Sequence, residues 1–320
     1  LHVRSRRQRQ MCIRDRTKVR EMIAKNNAKK GGLSDKIVPI ILAIISAISI
    51  LTTIAILFTL LTETITFFTR VPLSKFFLSG TWNPTGSSPE FGIWALIIGT
   101  LKITVIATIV AVPIGLGAAI YLNEYASDRS RRIIKPILEI LAGIPTIVFG
   151  FFALTFVTPI LRNLIPNLGE FNSISPGIVV GIMIVPMITS MSEDAMSSVP
   201  DKIREGAFGL GATKFEVATK VVLPAATSGV VASIVLGISR AIGETMIVSL
   251  AAGSSPTSSL SLTSSIQTMT GYIVEIATGD AAFGSDIYYS IYAVGFTLFI
   301  FTLIMNLLSQ WISKRFREEY

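Results

Sequence analysis

The sequence predicts an all-α integral membrane protein of one domain with six transmembrane helices. Three observations carry that prediction. Hydrophobic residues make up 51% of the chain and charged residues 15%, where a soluble domain carries about 25% charged residues. The charges are gathered into short segments, leaving uncharged runs as long as a bilayer is thick. Lys and Arg then fall in alternate connections between those runs, as they do in multi-pass proteins.

The N-terminus is read first, because part of it looks foreign. RRQRQMCIRDR, Arg6 to Arg16, reads as one frame of a sequencing adapter, so residues 1–16 are set apart as an expected artefact. They hold the single Cys12 and the single His2, six basic residues and one acidic residue. Without them the formal charge falls from +8 to about +3, by the loss of those six positive charges and one negative charge. Nucleic-acid binding is therefore not argued from the overall basicity. Disulfides, zinc sites, histidine bases and thiol nucleophiles have no residues to build them after position 16. Residues 17–36 form a basic segment, and 37–320 form the membrane domain.

A span needs about 20 apolar residues. Ile37 to Thr62 carries no charge, and Phe91 to Leu122 carries only Lys102. Ile140 to Leu161 and Phe171 to Ser192 are uncharged; Val221 to Val274 holds only Arg240 and Glu244; Ile287 to Ser313 is uncharged. The first run is too long for the core of a signal peptide and should remain as an anchor. With residues 17–36 inside, the inner segments hold 17 Lys and Arg, and the outer ones hold only Arg70, Lys75 and Arg162. Both termini are expected in the cytoplasm. Lys102 is expected to snorkel to the interface or, less readily, to take a place in an anion path; Glu139 is expected to pair with Lys135 one turn before it or to meet water, and Glu63 to mark the outer end of the first span.

Interruptions are expected inside the spans at Pro113 with Gly115 and Gly117, at Gly143 with Pro145, and at Pro186. They are either packing features or the lining of a cavity. The outer loop 253–286 is rich in Ser and Thr. Ile266, Met269, Ile273 and Ile276 recur there at helical spacing, which predicts a short helix lying at the outer surface.

The inner loop 198–224, SVPDKIREGAFGLGATKFEVATKVVLP, has the chemistry of two short helices. Ser198 is a candidate cap, with Pro200 and Asp201 in the first turn. Gly211 can take the positive φ of a sharp stop. Thr213 and Glu216 then form a T-x-x-E capping box, and Pro224 opens the next span.

Within this loop Glu205, Gly206, Ala207, Gly211, Leu223 and Pro224 resemble the E-A-A-x(3)-G-x(9)-I-x-L-P signature of ABC importer permeases, with Gly206 where that family prefers Ala and Val221 where it prefers Ile. The resemblance implies a type I ABC importer permease fold and a coupling helix that docks on an ATPase subunit. VPIGLGAAIYLNEYA (112–126), ILAGIPTIVFG (140–150), SRAIGETMIVSLAAG (239–253) and YAVGFTLFIFTLIMNLLSQWI (292–312) are similar to the phosphate importer permeases. That likeness implies transport of inorganic phosphate in a prokaryotic cytoplasmic membrane; the alternatives are a sister permease of the PstA type, an ABC permease for sulfate, molybdate or phosphonate, and a secondary anion transporter that needs no ATPase. The likeness also implies a second permease of the PstA type, two ATP-binding subunits that use ATP-Mg, and a soluble phosphate-binding protein outside. No G-x(4)-G-K-[ST] loop occurs in this chain, so ATP binding and catalysis are expected in another subunit.

Arg240 and Glu244 stand near the middle of the fifth run, where each costs about 2.5–3.5 kcal/mol to insert. Four residues apart on a continuous helix, they should share one face. They are either a fixed ion pair bracing the bundle or a pair lining an anion path. In the second reading Arg240 offers planar donors to an oxyanion, and Glu244 holds the empty Arg240 and accepts the proton of phosphate, which sulfate lacks. The resemblance implies the second role for both residues.

Overall fold

A computed structural model describes residues 33–315, together with Val19, Glu21 and Met22. The proposed artefact at 1–16 lies outside the described residues, as does most of the basic segment at 17–36.

Among the described residues the chain is helical, with one pair of two-residue strands. The elements are α1 (Leu33–Arg70), α2 (Leu73–Leu78), β1 (Trp82–Asn83), β2 (Glu90–Phe91) and α3 (Trp94–Ile120). Then come α4 (Asp128–Gly143), α5 (Thr146–Phe152), α6 (Thr158–Leu164), α7 (Ile174–Ser197) and α8 (Asp201–Gly209). The remainder are α9 (Lys214–Glu216), α10 (Leu223–Ala225), α11 (Thr227–Ile242), α12 (Met246–Ala251), α13 (Met269–Thr278) and α14 (Asp286–Arg315). Wider π turns join α3 to α4 at Tyr121–Tyr125, α5 to α6 at Ala153–Val157, and α9 to α10 at Val217–Val222.

Two compact units divide at Leu60. In the first, every position from Ile37 to Thr59 is exposed, although the helix there is almost wholly apolar. An uncharged helix exposed all round is a helix made for lipid.

The second unit is built on α3 against α7, with α11 packed on both and α14 on α11. Small residues let the helices approach. A side chain at Gly177 or Gly181 would collide with Ile106 and Val110 of α3, and one at Gly115 with Ile188 of α7. In a bilayer, where lipid tails are as apolar as Leu, such close backbone packing drives association. Ile103, Ala107, Ile184, Ile188, Val248 and Ile266 belong to the central core.

A second core is aromatic. Phe67, Phe76, Trp82, Phe91 and Tyr272 meet edge to face, with Trp82 and Tyr272 at 4.8 Å between ring centres and 87° between planes. Each such pair adds about 0.5–1.5 kcal/mol beyond simple burial. The strands β1 and β2, paired Trp82 to Phe91, exist to fold these rings together.

Several sequence expectations are corrected here. Among the described residues five helices are long and apolar enough to cross a membrane, and the expected six are reached only if Lys214–Ala225 and Thr227–Ile242, bent by 76°, count as one crossing. Pro113 and Pro186 do not interrupt α3 or α7, which run through both; at Pro186, which is buried, neighbouring helices pack closely around the site. The break at Gly143 and Pro145 is present. It separates α4, amphipathic and without a buried residue, from the third crossing, which starts at Thr146 rather than Ile140. The predicted short helix after the Ser/Thr loop is α13, yet it is not laid on a surface: Met269 and Tyr272 are fully buried, and Ile266 precedes the helix in the core.

Candidate functional site

Arg240 is the last turn's cation in α11, which ends two residues later at Ile242. The chain then turns through Gly243 and Glu244 before α12 begins at Met246. The two charges are therefore not on one continuous helix, and the expectation of a shared face is not met. They form no ion pair within 4.0 Å, so Glu244 does not hold Arg240. Instead Glu244 Oε1 accepts the N–H groups of Met246 at 3.1 Å and Ile247 at 3.3 Å, and its carbonyl accepts Thr270 Oγ1 at 2.7 Å. The carboxylate satisfies the first donors of α12 and carries negative charge at the positive end of that helix. The signal for this break was in the sequence, since Gly243 follows a basic last turn and stands where a helix commonly stops.

Arg240 lines a cleft of roughly 330 Å³. Met183, Pro186, Met187, Leu138 and Ala142 supply apolar walls; Lys135, Glu139 and Glu193 supply the remaining charges. Glu244 is not among the lining residues. Arg240 is exposed to this space and has no hydrogen bond or ion pair among the described residues. A guanidinium facing a partly apolar hollow can offer its five donors to an oxyanion.

Glu193 was not singled out in the sequence, because it stands one residue past an uncharged run. Its side chain is only 4% exposed, and it binds Lys135 Nζ at 2.6 Å, with Arg131 Nε at 4.0 Å. Lys135 therefore pairs across to α7, not with Glu139 on its own helix. Glu139 remains exposed at the rim of the cleft. Lys102 also departs from expectation. It is buried, and its Nζ donates to the carbonyls of Ser259 and Ser261, the second at 3.0 Å. Its charge is spent on loop backbone in place of the membrane interface.

The 198–224 loop has the expected shape with one change of cap. Pro200, not Ser198, precedes the first helical residue of α8; the Ser198 hydroxyl donates to Ala195 O and finishes α7. Gly211 takes φ +86°, the region where only glycine is unstrained. The Thr213 and Glu216 capping box is complete, with reciprocal hydrogen bonds of 3.1 and 3.3 Å. Glu205, Gly206, Gly211 and Pro224 are exposed; Ala207 and Leu223 are half-buried against Val217 and its neighbours. Phe208, Leu210 and Phe215 add a large exposed apolar surface, Leu210 at 92%.

Behind that surface stands Arg204, which the sequence reading counted only as one more inner cation. Its guanidinium donates to Met196 O and Val199 O at 2.7 Å each and to Asp201 Oδ1 at 3.0 Å. It donates also to Glu124 Oε1 and Asn123 Oδ1, both at 3.2 Å. One side chain thus joins the end of α7, the start of α8 and the π turn after α3.

A segmented bundle of membrane helices with a two-helix loop projecting from one end defines a transporter's membrane subunit. Residues 111–318 match the family described as "Binding-protein-dependent transport system inner membrane component", and the chain belongs to that family. Among curated relatives, it is 34% identical over 242 residues to the "Probable ABC transporter permease protein YqgH" of Bacillus subtilis, covering 75% of this chain and 78% of that one. It is 32% identical over 260 residues to the "Phosphate transport system permease protein PstC" of Mesorhizobium japonicum, with the same two coverages. In Haemophilus influenzae a protein of the same name is 37% identical over 200 residues, 57% of this chain and 63% of that one. The fold is that of a type I ABC importer permease. A bacterial alginate ABC transporter solved with a pentasaccharide-bound periplasmic protein shares it at TM-score 0.62, 17% identity, 89% of this chain and 98% of that one. The inward-facing MetNI methionine ABC transporter shares it at TM-score 0.53, 17% identity, 71% and 95%.

Proposed function

We propose that this chain is the PstC-type permease subunit of an ATP-driven importer of inorganic phosphate. The observation that carries the reading is Arg240, a cation without a partner among the described residues, in a cleft between membrane helices. The names of the relatives supply the anion: phosphate is what several permeases at 32% identity are named for. In this reading Arg240 meets the oxyanion in transit. Glu244 contributes to the path by holding the helix break that ends α11 beside Arg240, a role that replaces direct pairing.

The subunit performs no catalysis and holds no ATP of its own. Two copies of an ATP-binding subunit, using ATP-Mg, supply the energy. One of them docks on the 198–224 loop, where Glu205, Gly206, Ala207 and Gly211 shape the first turn and Leu223 and Pro224 set the elbow into α11. Exposed Phe208, Leu210 and Phe215 provide the apolar anchors that a docking face requires. A PstA-like permease closes the open side of the cleft, and a phosphate-binding protein delivers the anion at the opposite end. Both termini face the cytoplasm of a prokaryotic cell. No metal or other cofactor belongs to this chain.

The test is ATP-driven uptake of labelled phosphate in proteoliposomes containing all four kinds of subunit. Arg240→Ala should cut uptake about 30-fold, as expected for about 2 kcal/mol of charged hydrogen bonding. Unlabelled phosphate should compete, whereas sulfate, molybdate and phosphonate should not. Full uptake in Arg240→Ala, or equal competition by sulfate, would overturn the reading.

A further inference from the structure

The Lys135 and Glu193 pair occupies the same cleft as Arg240 and is not explained by bracing alone. Three observations set it apart. The two partners differ in freedom: the Glu193 side chain is 4% exposed on α7, within the main core, whereas Lys135 is 42% exposed on α4, a helix with no buried residue. Glu193 is Lys135's one polar partner among the described residues, so nothing else fixes the amine. A substitute cation is already in place. Arg131 stands 4.0 Å from Glu193 and is itself anchored on Leu122 O at 2.6 Å. If Lys135 leaves, Arg131 keeps the buried carboxylate from being stranded, a loss that would otherwise be costly.

Resting on the phosphate-path reading above, we infer that Lys135 and Glu193 form the release site of that path. Lys135 takes the oxyanion handed on from Arg240, and Glu193 then recaptures the amine and frees the anion. A path needs sites strong enough to receive an ion and weak enough to let it go. Arg240 alone, with a fixed fork of donors, satisfies the first need. A lysine on a flexible stem beside a competing carboxylate satisfies the second, because its ammonium is a point charge that can change partners without matching a planar fork. The exchange moves no proton and breaks no covalent bond. The break at Gly143 and Pro145 leaves α4 free of the third crossing, and a side chain at Gly143 would meet open space. The more exposed partner is thus carried by the helix that has no buried residue.

The experiment uses the complete transporter in proteoliposomes, with co-purification of all subunits as the measure of assembly. In the exchange Lys135→Glu with Glu193→Lys, the pair is restored but the cation moves to α7. Assembly with uptake below about a tenth of the parent supports the inference; assembly with full uptake shows a structural brace and overturns it. Should the exchange fail to assemble, Glu193→Gln decides. Its freed Lys135 should hold the anion, so phosphate inside the vesicles should inhibit uptake at about tenfold lower concentration. Unchanged inhibition overturns the inference. Arg240→Ala run alongside separates the two readings: its failure to reduce uptake removes the path itself, whereas an inactive Arg240→Ala beside a fully active exchange removes only the release site.

Discussion

The two ends of the helix bundle hold their charges in opposite ways. At the end bearing loop 253–286, two cations, Lys102 and Arg70, are consumed by structure. Lys102 is tied to loop carbonyls, and Arg70 binds Asp286 at 3.2 Å, Gly284 O at 2.7 Å and the face of Tyr289. Behind them lies the interlocked aromatic core. At the end bearing loop 198–224, Arg204 is equally consumed, but among the described residues Arg240 has no partner and Lys135 has only Glu193. Bound charge builds walls, and unbound charge receives ligands. The contrast separates the part of the molecule that must hold its shape from the part that must work on an anion.

Substitutions can break that contrast, and the largest effect is expected in the aromatic core. Trp82→Ala removes a side chain only 3% exposed and should lower stability by about 3–5 kcal/mol, seen as a loss of folded protein in detergent on mild heating. What assembles should still prefer phosphate to sulfate; a changed preference would show that this end also handles the anion. Arg204→Ala should come next. It strands Glu124, whose side chain is 7% exposed, for about 3 kcal/mol. Because the same residue joins the loop to the ends of α3 and α7, ATP hydrolysis by the assembled complex should lose its stimulation by loaded binding protein. Stimulation equal to the parent would mean that the loop communicates by another route.

Smaller effects sharpen the picture. Lys102→Met should cost about 2 kcal/mol and raise proteolysis within 257–262 without altering anion preference. Glu244→Gln keeps an oxygen for the N–H groups of Met246 and Ile247 and loses only charge, so about 1 kcal/mol and unchanged phosphate-over-sulfate preference are expected. A large change in that preference would restore the direct role first read from the sequence.

Much of this was legible because it depends on near neighbours in the chain. Apolar runs, the Thr213 and Glu216 box and the positive φ of Gly211 are local properties, and each is found where the sequence puts it. Pro113 and Pro186 misled because their effect on a helix depends on what packs beside it, which spacing does not record. The Arg240 and Glu244 pair misled for a related reason. An i,i+4 spacing implies a shared face only if the helix continues, and Gly243 ends it. Glu193 and Arg204 were missed because their importance lies in partners on other elements: Lys135, 58 residues away by subtraction, and Glu124, 80 residues away.

The central claim, that the cleft beside Arg240 is the anion's route, is tested most directly by blocking it. Ser190 lines the cleft, and Cys12 is the chain's sole cysteine, so Ser190→Cys in a Cys12→Ser background gives one thiol inside it. After reaction with a bulky thiol reagent, ATP-driven phosphate uptake should stop while the complex stays assembled, and excess phosphate should slow the labelling. Uptake that continues at the unlabelled rate with the thiol fully modified would contradict the account.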